Sequence, residues 1–299
     1  MENRELNLFD PKTVARLQRE YGIRPLKSLG QNFLTDRNTA ERIADAGLLR
    51  PARFAVEIGP GLGALTALLS RRFEKVAAVE LDGGLIPLLR DILPRLGAGN
   101  VEIVNADALK VDFSALSDRF FGGEPFNICA NLPYNITTEF IMRVLGDARL
   151  RSKINGVCLM LQKEAAARLT ALPGGEGYGA ASVFVSYHCL AERLFDVPPS
   201  CFYPAPKVTS AVLRMVPREE PASGTGPHLF ERTVKYAFAH RRKTLLNSLA
   251  SGFSGEFARE EISRALFECG VSPEARGETL SAEKFAEIAG YLEKLKENQ

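Results

Sequence analysis

"VEIGPGLGALT", residues 56–66, is the stretch on which the reading of this chain turns. It starts as a short Val/Ile run and passes at once into Gly59, Gly61 and Gly63, separated only by Pro60 and Leu62. Glycines at the end of a strand let the backbone turn tightly and let a ligand approach it, because no Cβ intervenes. The residues that follow, "GALTALLSRRF", carry apolar side chains at helical spacing. A strand–loop–helix unit results. A purely structural turn remains the alternative here, since a glycine loop alone is weak evidence for a ligand.

Working outward, the same alternation continues from Arg53 to about Leu161. "RFAVEIG" (53–59), "KVAAVEL" (75–81), "VEIVNAD" (101–107), "FNICANL" (126–132) and "NGVCLML" (155–161) are nearly continuous apolar runs. Strands covered on both faces read this way. Helix-like segments such as "GLIPLLRDILPRL" lie between them, so the pattern is βαβ with a parallel sheet and right-handed crossovers. "ASVFVSYHCL" (181–190) and "VTSAVLRMVP" (208–217) read as two further strands, and the Pro-rich "VPPSCFYPAPK" (197–207) between them as an extended loop. Past Pro217 the composition changes. "REEPASGTGP" (218–227) is a polar linker, and beyond it only amphipathic helical patterns follow. The expected domains are 1–217, an α/β unit, and 218–299, a small α-helical one.

The bulk numbers agree with an ordinary globular protein: 299 residues, 45% hydrophobic and 25% charged. Five cysteines, odd in number and without a CxxC pair, argue against a disulfide framework and against zinc. No metal is expected. The polar start "MENRELNLFD" and the lack of a long apolar run predict neither a signal peptide nor a membrane span, hence a cytoplasmic protein. The net charge of +2 gives no global sign of a polyanionic partner. Locally, Arg232, Lys235, Arg241, Arg242 and Lys243 lie in one segment without an acid between Arg232 and Lys243. A solvated helix face and a phosphate-binding patch both fit it.

Two acids narrow the glycine loop's role. Glu57 sits within the end of the first strand, and Glu80 ends the second, where a carboxylate accepts both hydroxyls of a ribose. A dinucleotide fingerprint would space its glycines GxGxxG, whereas this loop reads GxGxG with Pro60 inside. Proline removes a backbone N–H that a pyrophosphate would use. A cofactor without phosphate there, such as S-adenosylmethionine (AdoMet), fits better. Asp107 in "NADAL" (105–109) is placed either to accept from an adenine amino group or to serve as an N-cap.

"NLPYNIT" (131–137) ends another strand on an amide, a proline and an aromatic ring. An exocyclic adenine amine is a poor nucleophile because its lone pair is delocalised into the ring. Two acceptors on its hydrogens would draw the nitrogen towards tetrahedral geometry and expose that lone pair to a methyl sulfonium. Asn131 offers a side-chain oxygen, and Leu132 a backbone carbonyl. Pro133 holds the residue before it in the extended region and so helps to aim that carbonyl. Tyr134 offers a flat face for an unpaired base. The alternative is an Asn-Pro turn with a core tyrosine.

Taken in order, "GQNFL" (30–34), "EIGPGLGALT", "VELD" (79–82), "NADAL", "NLPYNI" and "FYPAPKVTSAV" (202–212) resemble the motifs of the ribosomal RNA adenine dimethyltransferase family. "FAHRRKTLLNSL" (238–249) and "LSAEKFAEIAG" (280–290) resemble the C-terminal helical domain of its bacterial 16S rRNA branch. The resemblance implies a class I AdoMet-dependent methyltransferase: a Rossmann-like sheet, mostly parallel with the last strand antiparallel, and a helical RNA-binding domain. It implies N6,N6-dimethylation of two adjacent adenines in a 3′-terminal hairpin of 16S rRNA, within the immature small ribosomal subunit, by a monomer. Carried over by motif, cofactor binding falls to Asn32, Leu34, Gly59, Gly61, Glu80, Leu81, Asp107, Ala108 and Asn131. Asn131, Leu132, Pro133 and Tyr134 would act on the target base, with Phe202 stacking it from the other side. Arg241, Arg242 and Lys243 would meet RNA phosphates. Thr209 stands where the family often has Asp, and His240 where Gln is common. A non-catalytic assembly factor on the same fold is the rival reading, and the intact Asn131, Pro133, Tyr134 and Glu80 speak against it. A DNA adenine methylase would more typically carry proline in the slot of Leu132.

Overall fold

The computed structural model describes residues 6–24, 31–49, 53–133, 136–218, 227–240 and 242–297. Nine strands lie among the described residues: β1 (Phe33–Leu34), β2 (Phe54–Ile58), β3 (Lys75–Glu80), β4 (Val101–Asn105), β5 (Phe126–Asn131), β6 (Ile154–Gln162), β7 (Cys189–Val197), β8 (Phe202–Tyr203) and β9 (Ser210–Pro217). Seven of them form one sheet in the order β4-β3-β2-β5-β6-β9-β7. The pairs β2–β3, β2–β5, β3–β4 and β5–β6 are parallel, and β6–β9 is antiparallel. The expected class, a mostly parallel Rossmann-like sheet closed by an antiparallel strand, is therefore what the chain adopts. Chain order reverses at β2, from which the sheet grows one way to β3 and the other way to β5. Open α/β sheets bind ligands at the carboxyl ends of strands beside such a point.

The central strands are continuous apolar runs because both faces are covered. Every residue of β2 is buried. On one side Ala55, Leu65, Leu68, Val76 and Cys129 share a core with Ile43 and Ala44, from the helix Arg37–Ala46. Another core joins Leu62 and Ala64 to Leu88, Leu89, Ile92 and Leu93 of the helix Ile86–Arg95, and to Val14 and Leu17 of the helix Pro11–Glu20. Each such Leu, Ile or Val contributes about 1.5–3 kcal/mol relative to an exposed one. These cores fix where the strand ends lie.

By density of contacts the chain divides into two compact units, Met1–Ala166 with Glu192–Pro217, and Ala167–Ala191 with Arg218–Gln299. The segment 167–191 belongs to the second unit with the residues after Arg218. "ASVFVSYHCL" is not a strand: Ala180–His188 is a helix, and β7 begins only at Cys189. Ser182, Val183, Phe184, Val185, Tyr187 and His188 of that helix are all buried. An all-round apolar helix carries no 3.6-residue stripe and is indistinguishable by pattern from a buried strand. Tyr187 stacks on Phe230 with centroids 3.7 Å apart, and Val183 joins Val234, Leu249, Phe253 and Phe285 in the core of the second unit.

Within the second unit, helices span Pro227–Ala237, Leu245–Gly252, Arg259–Glu268 and Ala282–Glu297. No helix among the described residues is long and apolar enough to cross a membrane.

Candidate active site

The carboxyl ends of β2, β3 and β5, with the residues after β4, enclose a cleft of about 730 Å³, its open mouth included. Gly59, Gly61, Glu80, Leu81, Asp107, Ala108, Asn32, Asn131 and Pro133 all line it. Eight of the nine residues assigned to the cofactor thus face one space, although they come from segments up to 99 positions apart (131 minus 32).

The glycine loop is locked from both ends. Gly59 donates its N–H to the carbonyl of Val79 at 2.9 Å, and Gly63 to that of Pro60 at 2.8 Å. Gly59, Gly61 and Gly63 have φ of 68°, 56° and 81°, values that cost an L side chain about 1–2 kcal/mol. At Gly61 a Cβ would also stand 3.1 Å from the Phe33 ring. The Gly61 N–H donates to Glu80 Oε2 at 3.2 Å. A pyrophosphate at the loop would meet that carboxylate, so the loop suits a ligand that brings hydroxyls instead.

Glu80 is itself held in place. Its Oε1 accepts from the Asp82 N–H at 2.8 Å, and Asn105 Nδ2 donates to its carbonyl at 2.7 Å. Burial pushes its carboxyl above the usual range, while the Asp82 and Gly61 N–H groups oppose the shift. The two oxygens retain lone pairs for further donors, as a ribose acceptor requires. Asp107 Oδ1 accepts from the Leu109 N–H at 2.9 Å, a local turn bond, while the residue lines the cleft. Lys110 lies 3.5 Å from its Oδ2.

Asn131 ends β5 on the opposite wall. Its Nδ2 donates to the Asn32 carbonyl at 3.2 Å, which leaves Oδ1 as an acceptor. Leu132 is buried and its N–H donates to the Met160 carbonyl at 3.1 Å, so the Asn131–Leu132 peptide is held by β6. The Pro133 carbonyl accepts from the Ile136 N–H at 3.2 Å and from the Thr137 hydroxyl at 3.3 Å. Tyr134 lies outside the described residues, as does Arg241.

Leu34 and Phe202 are not among the residues that line this cleft. Leu34 lines an adjoining, smaller cavity together with Glu57 and Pro60. Phe202 is buried in the core beside Leu34 and Cys201 and does not line either space, because β8 pairs Phe202 with Leu34 and Tyr203 with Phe33. Its neighbour Tyr203 is the exposed one. Arg242 and Lys243 line a shallow hollow of the helical unit with Ala239 and His240.

Sequence reasoning missed Gln31 and Arg143. Gln31 Nε2 donates to Asp82 Oδ2 at 2.8 Å, so 31–32 ties the end of β3 to the end of β5. Arg143, in the helix Thr137–Gly146, donates to the carbonyls of Ala108 and Val111, both at 2.6 Å. It clamps the loop carrying Asp107. Contacts over 51 and 35 positions leave no trace in local pattern.

The family described as ribosomal RNA adenine dimethylase matches residues 24–294. A ribosomal RNA small subunit methyltransferase A from Pelotomaculum thermopropionicum is 47% identical over 286 residues, 93% of this chain and 95% of its own. A protein of the same name from Geobacter metallireducens is 46% identical, over 90% and 95% of the two chains. Among solved structures, the 23S rRNA methyltransferase ErmE superimposes with a TM-score of 0.66 at 30% identity, covering 88% of this chain and 100% of its own. A dimethyladenosine transferase from Plasmodium falciparum shares the fold, with a TM-score of 0.70 at 24% identity over 85% and 95%.

Proposed function

This chain belongs to the ribosomal RNA adenine dimethylase family and is an AdoMet-dependent methyltransferase; from that premise we propose that it dimethylates the N6 amino groups of two adjacent adenines in a 3′-terminal hairpin of 16S rRNA, during small-subunit biogenesis. One observation carries the reading: Gly59, Glu80, Asp107 and Asn131 share a single cleft at the reversal point of the sheet. The donor set fits the cofactor. Glu80 takes the ribose hydroxyls, Asp107 and Ala108 meet the adenine, Leu81 covers it, and Gly59 and Gly61 let it lie against bare backbone.

AdoMet supplies an electrophilic methyl on a sulfonium. The chain supplies position and polarity. Asn131, its amide turned by the bond to Asn32, accepts through Oδ1 from one hydrogen of the target amine. The Leu132 carbonyl, in a residue anchored through its N–H to Met160 and restricted by Pro133, accepts from the second. Pinned in this way the nitrogen presents its lone pair to the methyl, and its surplus proton passes to water. No general base is required, because orientation and preorganised acceptors do the work. Tyr134 and Phe202 bracket the base after it has left its stack. In the structure described here Phe202 is buried, so in this reading its ring is uncovered when RNA arrives.

The small subunit is the chosen target because relatives at 46–47% identity are small-subunit enzymes, against 30% for the large-subunit enzyme. The α/β part of 1–217 performs the chemistry. The helical part of 218–299 binds RNA, with Arg241, Arg242 and Lys243 on its phosphates. The enzyme works as a monomer in the cytoplasm on the immature subunit. The test is incubation with labelled AdoMet and undermethylated small subunits, free rRNA or duplex DNA. Label in small-subunit adenines is expected. Label in DNA alone refutes the RNA reading, and no label anywhere refutes the enzyme.

A further inference from the structure

The two-residue ladder between β1 and β8 sorts four side chains onto two faces. Residues directly opposite each other in an antiparallel pair project to the same side, and successive residues of one strand to opposite sides. Leu34 and Phe202 therefore share one face, and both are buried in the core with Cys201. Phe33 and Tyr203 share the other. On that face Phe33 lines the main cleft, with its ring against Gly61. Tyr203 is 39% exposed, and no hydrogen bond or ring contact holds its side chain among the described residues.

Tyr203 also opens an exposed loop. Between it and the start of β9 at Ser210, the residues Pro204, Ala205, Lys207 and Val208 are exposed, Val208 at 41%. Both ends of the loop are fastened near the reacting centre. At one end Tyr203 pairs with Phe33; at the other Ser210 pairs with Gln162, two residues past Met160, which is the partner of Asn131. From Val197 to Pro217 the chain contains Lys207 and Arg214 and no acid. An open ring and an open valine beside a lysine, in a segment without carboxylates, suit a nucleobase and its phosphate.

We propose that Tyr203 is the stacking platform for the nucleotide next to the target adenine, and so positions the RNA without touching the reacting amine. The proposal rests on the rRNA reading of the cleft. In that reading two adjacent adenines are methylated, and only one can occupy the place beside Asn131 at a time. When that base flips out, its neighbour loses a stacking partner. Tyr203, on the cleft side of the ladder, replaces it. Stacking on a ring does not depend on which edge of the base faces the protein, so one platform serves each adenine of the pair while the other is being methylated. Phe202 lies on the opposite face of the ladder and has no part in this role.

The test is steady-state methylation of undermethylated small subunits by the full-length protein. Tyr203→Ala is expected to raise KM for the subunit about 5- to 150-fold, the worth of one base–aromatic stack, with kcat and the Kd of AdoMet unchanged. Tyr203→Phe keeps the ring and is expected to match wild type. Subunits with uridine in place of both adenines are compared as competitive inhibitors, which requires no turnover. Against them the penalty of Tyr203→Ala is expected to shrink at least about threefold, because a pyrimidine stacks more weakly. A wild-type KM in Tyr203→Ala overturns the proposal. An equal penalty on adenine and uridine subunits overturns it too, since the residue then acts on the fold and not on a base. So does failure of Tyr203→Phe to restore KM, and so does a loss of AdoMet affinity in Tyr203→Ala, which puts the ring in the cofactor wall. No transfer by wild type to any small subunit refutes the rRNA reading itself.

Discussion

Two buried acids of the first unit and one acid of the second are treated in opposite ways. In the first, Glu57 and Glu80 are buried at strand ends without a basic partner, and burial raises both carboxyls. In the second, Glu256 accepts from Arg232 Nη1 and from Lys296 Nζ, each at 3.0 Å, and these cations hold it down to about 2. The core beside it is built on Phe230, Phe253 and Phe285. A completed ion pair is a packing device. An acid kept dry without a counter-charge is poised for something that arrives from outside. The contrast separates residues that hold the fold from residues that await a ligand.

The largest effect should come where a waiting group touches the reaction. Asn131→Ala is expected to lower methyl transfer at least ~100-fold, by analogy with the loss of one preorganised acceptor, while the melting temperature stays near wild type. Wild-type rates in that variant would remove Asn131 from the mechanism. Next comes the acid that waits. Folded Glu57 keeps a proton that the unfolded chain gives up above about 4.5, so its contribution to stability is complete below about 4.5 and is lost as pH rises through about 8. Glu57→Gln should therefore flatten the fall in stability across that window, read by denaturant melts at a series of pH values. An unchanged slope breaks the comparison on its first side.

Gly61→Ala should follow, costing about 1–2 kcal/mol through its φ alone and weakening AdoMet further by pushing on Phe33. Arg143→Lys keeps the charge but can reach only one of two carbonyls; about 1 kcal/mol should appear as roughly fivefold weaker AdoMet binding. Smallest of all is Arg232→Ala. The pair it breaks is partly exposed, and a loss of at most about 1 kcal/mol is expected. Because this pair belongs to the packing side of the contrast, AdoMet affinity should not move, and a shift there would blur it.

Much of the first unit was legible because its central strands are buried on both faces and the residues that line the cleft sit at their ends. "VEIG", "VELD", "NADAL" and "NLP" each lie at the carboxyl end of a strand, where parallel topology brings them together. Three failures have a common physical origin, which is that periodicity reports burial and not conformation. The helix 180–188 is apolar on all sides and so passed for a strand. β7 was missed because five of its nine residues alternate poorly between the apolar and the polar at a partly exposed position, from Leu190 to Leu194. Phe202 lies in the proline-rich stretch that reads as an extended loop, yet a two-residue ladder with Leu34 makes it a short strand whose Phe is in the core. Gln31 and Arg143 act through carbonyls and carboxyls far along the chain, and only folding reveals them.

That ladder has a bearing on how the protein can be recombined. Phe33 and Leu34 meet Tyr203 and Phe202 strand to strand, one segment shaping the cofactor wall and the other the edge from which a base would be gripped. A chimera that exchanges residues 31–34 with a relative but keeps its own 202–203 divides a single heritable module. Such a hybrid should lose more than the sum of the two separate exchanges, whereas moving both segments together should restore it.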